Sequence, residues 1–264
     1  MNFLKRELAP LSQSAWDAID ERAKRVLNSI LSVRKFARYN GAKGYDYKAI
    51  PTGRLSVNKS SDVHYGVNLM LPLIEERVNF VVNRWEMDNI SRGAQDIDFK
   101  SLEDALYKTV SFAEKSVYNG LDDACIVGLI NSSTHDHLIL GETAEEVLRN
   151  IAGGMFKLKD SYSGNRSFAL VVSEDIYTKL NSMGQGYDFI NKIKEILDGG
   201  KIISSKFLDR AILVPFDSED IELTIGQDYS IGYQEHTETD IKLFVTLTFT
   251  FRVTDPTLVV VYDK

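Results

Sequence analysis

A single cysteine, Cys125, five prolines and four histidines are all that 264 residues contain of these types. One cysteine excludes an internal disulfide, and its neighbours Ala124, Ile126 and Val127 mark it as a buried thiol without a basic residue to activate it. The histidines are His64, His135, His137 and His236. His135 and His137 could share one side of a strand, but two ligands without a third are a poor metal site, and an exposed loop is the plainer reading. No glutamate stands three residues before a histidine, so the Glu-x-x-His pattern of di-iron bundles is missing. No apolar run approaches the roughly 18 residues of a membrane span. The opening MNFLKRELAPL has no apolar core or cleavage site of a signal peptide, so a cytoplasmic protein is expected.

Basic residues are also in short supply. The net charge of −7, with only Arg34, Lys35 and Arg38 clustered, argues against a nucleic-acid partner. The glycines at 199 and 200 before Lys201 lack phosphate-loop spacing, and Gly184-Gln185-Gly186 does not follow a strand. The acidic run around His236 reads as a solvated loop. With no catalytic constellation in view, no enzymatic activity is expected and no metal or cofactor is required.

What is present is a pattern of regular elements. Residues 101–120 predict a helix of about five turns, with Ser101 as its cap and with Glu103 and Asp104 at the positive end of its dipole. Leu102, Leu106, Val110, Ala113 and Val117 fall on one face, widened by Tyr107 and Phe112, while Lys108, Glu114 and Lys115 fall elsewhere. So broad a stripe predicts packing on two flanks. Ser12 caps a second amphipathic helix whose stripe runs through Trp16, Ile19, Ala23, Val26, Leu27, Ile30 and Leu31.

Between these helices, Leu55 and Val57 alternate with polar residues, residues 58–62 supply a turn, and Val63, Tyr65, Val67 and Leu69 alternate on the way back. This is a long hairpin, and an isolated hairpin is marginal in water, so a partner must cover it. Residues 77–86 predict a strand buried on both faces, joined to the long helix by a polar link. Beyond residue 121 shorter helices and strands alternate. Thr143 and Glu146 form a capping box before a helix carrying Val147, Leu148, Ile151, Met155 and Phe156, and Ser173 caps another helix. The last quarter is mostly strand, and 243–251 alternates apolar residues with threonine, the mark of one buried face. The fold class is α+β with an inserted mixed segment.

The stretches FLKRELAPLS from Phe3, AWDAIDERA from Ala15, RKF from Arg34, LPLIEERVNF from Leu71, RWEMDNISRG from Arg84, GGKIISS from Gly199, IGQDYSIGY from Ile225 and LTFTFRVTDP from Leu247 resemble, in order and spacing, the encapsulins. These shell proteins share the major-capsid fold of tailed phages. The resemblance implies a peripheral domain built from 1–48, 71–131 and 225–264, an extended loop at 49–70, and an axial domain at 132–224. It implies a homo-oligomeric icosahedral shell, with a hairpin length that favours sixty subunits. The shell encloses a cargo enzyme, a ferritin-like iron-storage protein or a peroxidase, that bears a C-terminal targeting peptide. Ile30, Leu31, Arg34, Arg38, Tyr229, Ser230 and Ile231 match the cargo-binding groove, with Arg34 and Arg38 favouring an acidic residue or a free carboxylate. Ser182, Met183, Gly184, Gln185, Gly186 and Tyr187 match the fivefold pore loop. Arg77 and Trp85 match an outer-surface flavin site found in some members, although Trp85 as interface packing is the plainer reading. A prophage major capsid protein is the alternative, disfavoured because the chain begins with the mature-type arm and helix.

Overall fold

The computed structural model describes residues 3–60, 62–161, 167–183 and 187–263. The first helix, α1 (Gln13–Ile30), starts as its sequence predicts: Ser12 Oγ accepts the amide of Ala15 at 3.2 Å. The arm before it folds back, with Arg6 lying over the Trp16 ring at 3.9 Å and pairing with Asp20 at 2.7 Å. A short strand, β1 (Arg38–Asn40), follows, and then the hairpin of β2 (Ala49–Asn58) and β3 (Tyr65–Pro72). These two strands form a sheet of their own. Leu55, Val57, Val67 and Leu69 are all exposed, and Val63 reaches 73%.

The strand after the hairpin differs from its expectation. It is β4 (Ile74–Asn83), buried on one face only through Glu76, Phe80 and Val82, while Val81 on the other face is exposed. The polar link is in fact preceded by a helix, α2 (Arg84–Ser91), which Asn83 starts by accepting the Glu86 amide at 3.1 Å. Trp85 therefore projects from a helix, 64% exposed, rather than extending an apolar strand. An asparagine at the N-cap ends the strand where hydrophobicity alone would continue it.

The long helix is α3 (Lys100–Asn119). Its predicted apolar face is buried, but Ser101 is not its cap: the Ser101 hydroxyl donates to the Val81 carbonyl at 2.7 Å, and Asp98 Oδ1 accepts the Lys100 amide at 2.8 Å. Tyr107 and Phe112 are exposed, whereas Glu114 is buried. The helix packs on two flanks as expected, against β4 and against α1.

Beyond α3 come α4 (Leu129–Ser132), β5 (Leu138–Ile139), α5 (Ala144–Ser161), β6 (Phe168–Ser173), α6 (Glu174–Ser182), α7 (Tyr187–Ile196), β7 (Lys201–Ser205) and β8 (Ala211–Pro215). The capping box is real: Glu146 Oε2 accepts the Thr143 amide at 3.1 Å, and Thr143 Oγ1 accepts the Glu146 amide at 3.3 Å. Phe156 on α5 is exposed at 70%, against expectation. The chain ends with β9 (Ile221–Ile225), β10 (Ser230–His236), β11 (Asp240–Val253) and β12 (Val260–Asp263).

Two sheets result. In the first, β11 carries β4 along one side, from Asp240↔Asn83 to Phe249↔Ile74, and β10 followed by β9 along the other, with β1 parallel to β9. From Leu243 to Phe251 the strand is buried on both faces, not one. Two of its threonine hydroxyls find partners nearby, Thr246 Oγ1 donating to the Glu76 carbonyl at 2.9 Å and Thr248 Oγ1 accepting the Gln227 amide at 2.5 Å, whereas Thr250 Oγ1 is buried with no partner among the described residues. The second sheet runs β5-β12-β8-β6-β7. The C-terminal segment is thus divided, since β11 belongs to the first sheet and β12 pairs with β8 in the second.

Helices α5, α6 and α7 bury Ile151, Ile176 and Ile193 against Leu170 and Leu213 on one face of the second sheet. Its other face, through Val171, Ile212 and Val261, shares a core with Phe249 of the first sheet, Tyr118 of α3 and Phe36 after the first helix. On α5, Gly154 lies where a Cβ would meet Tyr262 Oη at 1.8 Å. Gly154→Ala is expected to displace Tyr262 and to lower subunit stability by about 1–3 kcal/mol, the usual range for overpacking, read as a drop in thermal midpoint.

Candidate functional site

The α1 backbone ends when the Leu31 amide donates to the Leu27 carbonyl at 3.0 Å. The chain then turns sharply, and the turn is held by a carboxylate buried on α3. Glu114 Oε1 accepts the amides of Ser32 at 3.1 Å and Val33 at 3.0 Å, and its other oxygen accepts the Ser32 hydroxyl. Ser32 Oγ also lies 2.6 Å from Tyr118 Oη and 2.9 Å from Ser205 Oγ, so α3, β7 and the end of α1 meet at one buried polar point. The glutamate read as lying off the apolar face is therefore the residue that fixes this corner.

One turn of 3-10 helix (Val33–Lys35) then projects Arg34 toward β10. Its guanidinium makes two hydrogen bonds to Asp228, at 3.0 and 2.5 Å, and Asp228 also accepts the Tyr39 hydroxyl at 3.2 Å and the Tyr229 amide at 2.7 Å. The Tyr39 and Tyr229 rings flank the guanidinium at 5.1 and 5.2 Å. Burial acts to raise the Asp228 carboxyl, but the hydrogen bonds and charge of Arg34 outweigh it and hold it below the usual carboxylate range. For Arg34, burial is likewise outweighed by Asp228, and its pKa is raised.

Beside this pair a cleft of about 400 Å³ separates α1 from β10. Leu27, Leu31, Leu106, Ile231 and Val245 line it with apolar surface, while Lys24, Asn28, Arg34 and Ser230 supply polar groups. Five of the seven residues matched to a docking groove thus converge here: Leu31, Arg34, Tyr229, Ser230 and Ile231. Two do not. Ile30 points into the core at 7% exposure, so a charge placed there would disrupt folding rather than docking. Arg38 lies on β1 and pairs with Asp217 at 3.2 Å. Arg34 and Arg38 thus both have carboxylate partners within the subunit. Asp228, which completes the Arg34 arrangement, lies 194 residues further along the chain, and no local pattern signals it.

The other candidates separate as well. Ser182 ends α6 and Met183 follows it, Tyr187 opens α7, and Gly184, Gln185 and Gly186 lie outside the described residues. Arg77 covers the Phe244 ring at 4.2 Å and pairs with Glu75, whereas Trp85 faces Arg92 from α2. Five strand residues separate Arg77 from Asn83, about 20 Å of extended chain, and Trp85 lies beyond that on α2, so the two matched residues belong to different elements. His135 Nε2 meets the Thr257 carbonyl at 2.8 Å and His137 Nδ1 meets Asp263 at 3.2 Å, and the described residues hold no group of three metal-ligating side chains. Cys125 is exposed, contrary to the buried thiol expected, because it caps a 3-10 turn with φ 56°. Among the described residues no helix is long and apolar enough to cross a membrane.

A long sheet backed by a spine helix, a second mixed sheet and an unsupported hairpin arm together make the fold of the tailed-phage major capsid proteins. The chain superposes on a virus-like particle protein from Pyrococcus furiosus with a TM-score of 0.69 at 17% identity, covering 94% of this chain and 99% of that one. The capsid protein of the Myoviridae phage XM1 matches with a TM-score of 0.56 at 8% identity, over 88% and 91%. Residues 1–250 match the family described as encapsulating protein for peroxidase. Over 255 residues the chain is 32% identical to the type 1 encapsulin shell protein of Rhodococcus erythropolis, covering 95% of this chain and 96% of the relative. The chain belongs to the encapsulin family.

Two buried carboxyls near the cleft give the subunit a pH dependence. Glu76 lies on the core face of β4 with Oε1 lacking any hydrogen-bond partner, and burial pushes its carboxyl up to about 9. For Glu114 burial outweighs the donors from Ser32 and Val33, leaving its carboxyl at about 7. Both groups bind protons more tightly folded than unfolded, so stability falls as pH rises above 4.5, until about 7 for Glu114 and about 9 for Glu76. Glu76→Gln keeps the shape and removes the larger contribution. Its melting temperature is expected to exceed that of the unmodified subunit at pH 8 and to match it at pH 4; equal values at pH 8 would contradict the assignment.

Proposed function

We propose that copies of this chain assemble into a closed icosahedral shell of sixty subunits that encloses a cargo enzyme in the cytoplasm. The cargo is a ferritin-like iron-storage protein or a peroxidase, held by a short C-terminal peptide in the cleft between α1 and β10. The hairpin carries the assembly reading: its apolar residues are exposed on strands that, among the described residues, pair only with each other. An obligate interface, on the order of 2,000 Å² or more, accounts for such a surface. Membership of a family whose model is described as encapsulating protein for peroxidase supports the enclosure reading.

The cleft suits an extended peptide because its apolar floor accepts leucine or isoleucine side chains, while the exposed Asn28 amide is placed for main-chain hydrogen bonds; the Ser230 hydroxyl is held by the Asp228 carbonyl and the Gln227 side-chain amide, each at 2.7 Å. The subunit itself contributes no chemistry in this reading, and the pore residues Ser182, Met183, Gly184, Gln185, Gly186 and Tyr187 pass small substrates at the fivefold axes. Flavin is not required.

Two measurements test the proposal. Val63→Asp with Val67→Asp places charge where a neighbour must pack, so folded subunits without particles are expected by electron microscopy and light scattering; normal particles would refute the role of the hairpin. Asn28→Trp with Ser230→Trp fills the cleft from its rim without touching the core. Intact shells of this variant should retain at least tenfold less of a fluorescent protein tagged with a leucine- and isoleucine-rich tail, and undiminished capture would move docking elsewhere.

A further inference from the structure

A second cleft, of about 860 Å³, runs along β7. Its walls carry Lys35, Lys194, Lys201 and Lys206, with Glu174 as the one acidic companion among the described residues, in a chain of net charge −7. Lys206 approaches Glu174 at 4.0 Å with both side chains largely exposed, a pair too loose to cancel the charge. Lys201 lies over the Phe216 ring at 4.2 Å, and Lys194 stands exposed on α7. The cleft is therefore a region of positive potential on an acidic protein.

One wall is the edge of a sheet. β7 pairs with β6 alone, from Ala169↔Lys201 to Ser173↔Ser205, and ends the second sheet. Its other edge faces the cleft with no strand beside it among the described residues. An open edge is a template for another strand, and a peptide added there gains main-chain hydrogen bonds while its side chains alternate between the two faces. Lysines around the edge select carboxylates, and Phe216 and Tyr177 offer apolar contact to the side chains between them. The cleft also adjoins the first one: Arg34 lines both, and the last residues of α1 divide them, with Leu31 on one side and Ile30 on the other.

We propose that the β7 edge takes an extended, acid-rich segment of the enclosed protein as a sixth strand of the second sheet. The inference rests on the cargo-holding reading and adds to it a partner chemistry that the α1 cleft does not select, namely carboxylates interleaved with apolar residues. A cargo tail long enough to pass Arg34 would engage both clefts.

The test uses assembled shells co-produced with a fluorescent protein carrying a tail of alternating glutamate and valine. Retention by unmodified shells is expected, with slowed amide exchange across 201–205. In shells carrying Lys194→Glu, Lys201→Glu and Lys206→Glu, retention should fall at least tenfold. No retention by unmodified shells, or equal retention by the variant, would overturn the proposal. If neither this triple variant nor its glutamine counterpart forms shells although the subunits fold, the cleft belongs to a neighbouring copy and the proposal also fails. A second reporter with the leucine- and isoleucine-rich tail separates the two readings. Its capture depends on the α1 cleft and should be unchanged in the triple variant, so its loss from unmodified shells would count against α1 docking and leave the β7 result to stand on its own.

Discussion

A buried carboxylate holds this subunit's geometry at its centre. Glu114 sits in the spine helix among apolar neighbours, where an unpartnered charge would be costly, and it is tolerated because two backbone amides and a hydroxyl of the turn after α1 point at it. Those amides stand at the start of the 3-10 turn Val33–Lys35, where a helix leaves its N–H groups without internal partners. The same contact sets where α1 stops, how the chain turns, and the direction in which Arg34 leaves the turn. From there Asp228 is within reach, and with it the rim of the cleft against β10. The corner also touches β7 through Ser205, so both clefts take their position from one polar cluster.

The two sheets are joined by a common core, from which the hairpin stands apart as a sheet of its own. Phe249 and Tyr118 pack with Val171 and Val261 across the junction, so the sheets do not bury their apolar faces independently. The hairpin contrasts with this. Its strands satisfy each other's backbone along one edge and leave its apolar side chains in water, an arrangement that gains little until another molecule covers it. Stability of the fold and stability of an assembly therefore reside in different residues, and charge introduced at Val63 or Val67 acts on the second while leaving the first.

Local chemistry explains most departures from expectation. Asn83 ended a strand that hydrophobicity extended through Trp85. Ser101 gave its hydroxyl to the Val81 carbonyl across a tertiary contact rather than to its own helix. The alternation of threonine in β11 marked an exposed face, yet that face is buried, with carbonyl and amide partners for the Thr246 and Thr248 hydroxyls and none among the described residues for Thr250. Tyr107, Phe112 and Phe156 are aromatic at helical spacing and still face outward, on a chain whose exposed apolar surface extends well beyond the hairpin.

The sequence by itself determined the elements whose signals are short-range. These are α1 with its Ser12 cap, the Thr143–Glu146 box, the hairpin as an arm in need of a partner, and, through its ordered motifs, the family. Only the tertiary structure decided which residues line the clefts. Glu114 became a clamp, Arg34 found Asp228 across 194 residues, Ile30 and Arg38 turned away from the groove they had been matched to, and β7 was left as an edge. The reason is physical. Caps and periodicity depend on neighbours a few residues away, whereas burial of a charge, the pairing of distant partners and the exposure of a strand edge depend on the packing of the whole chain.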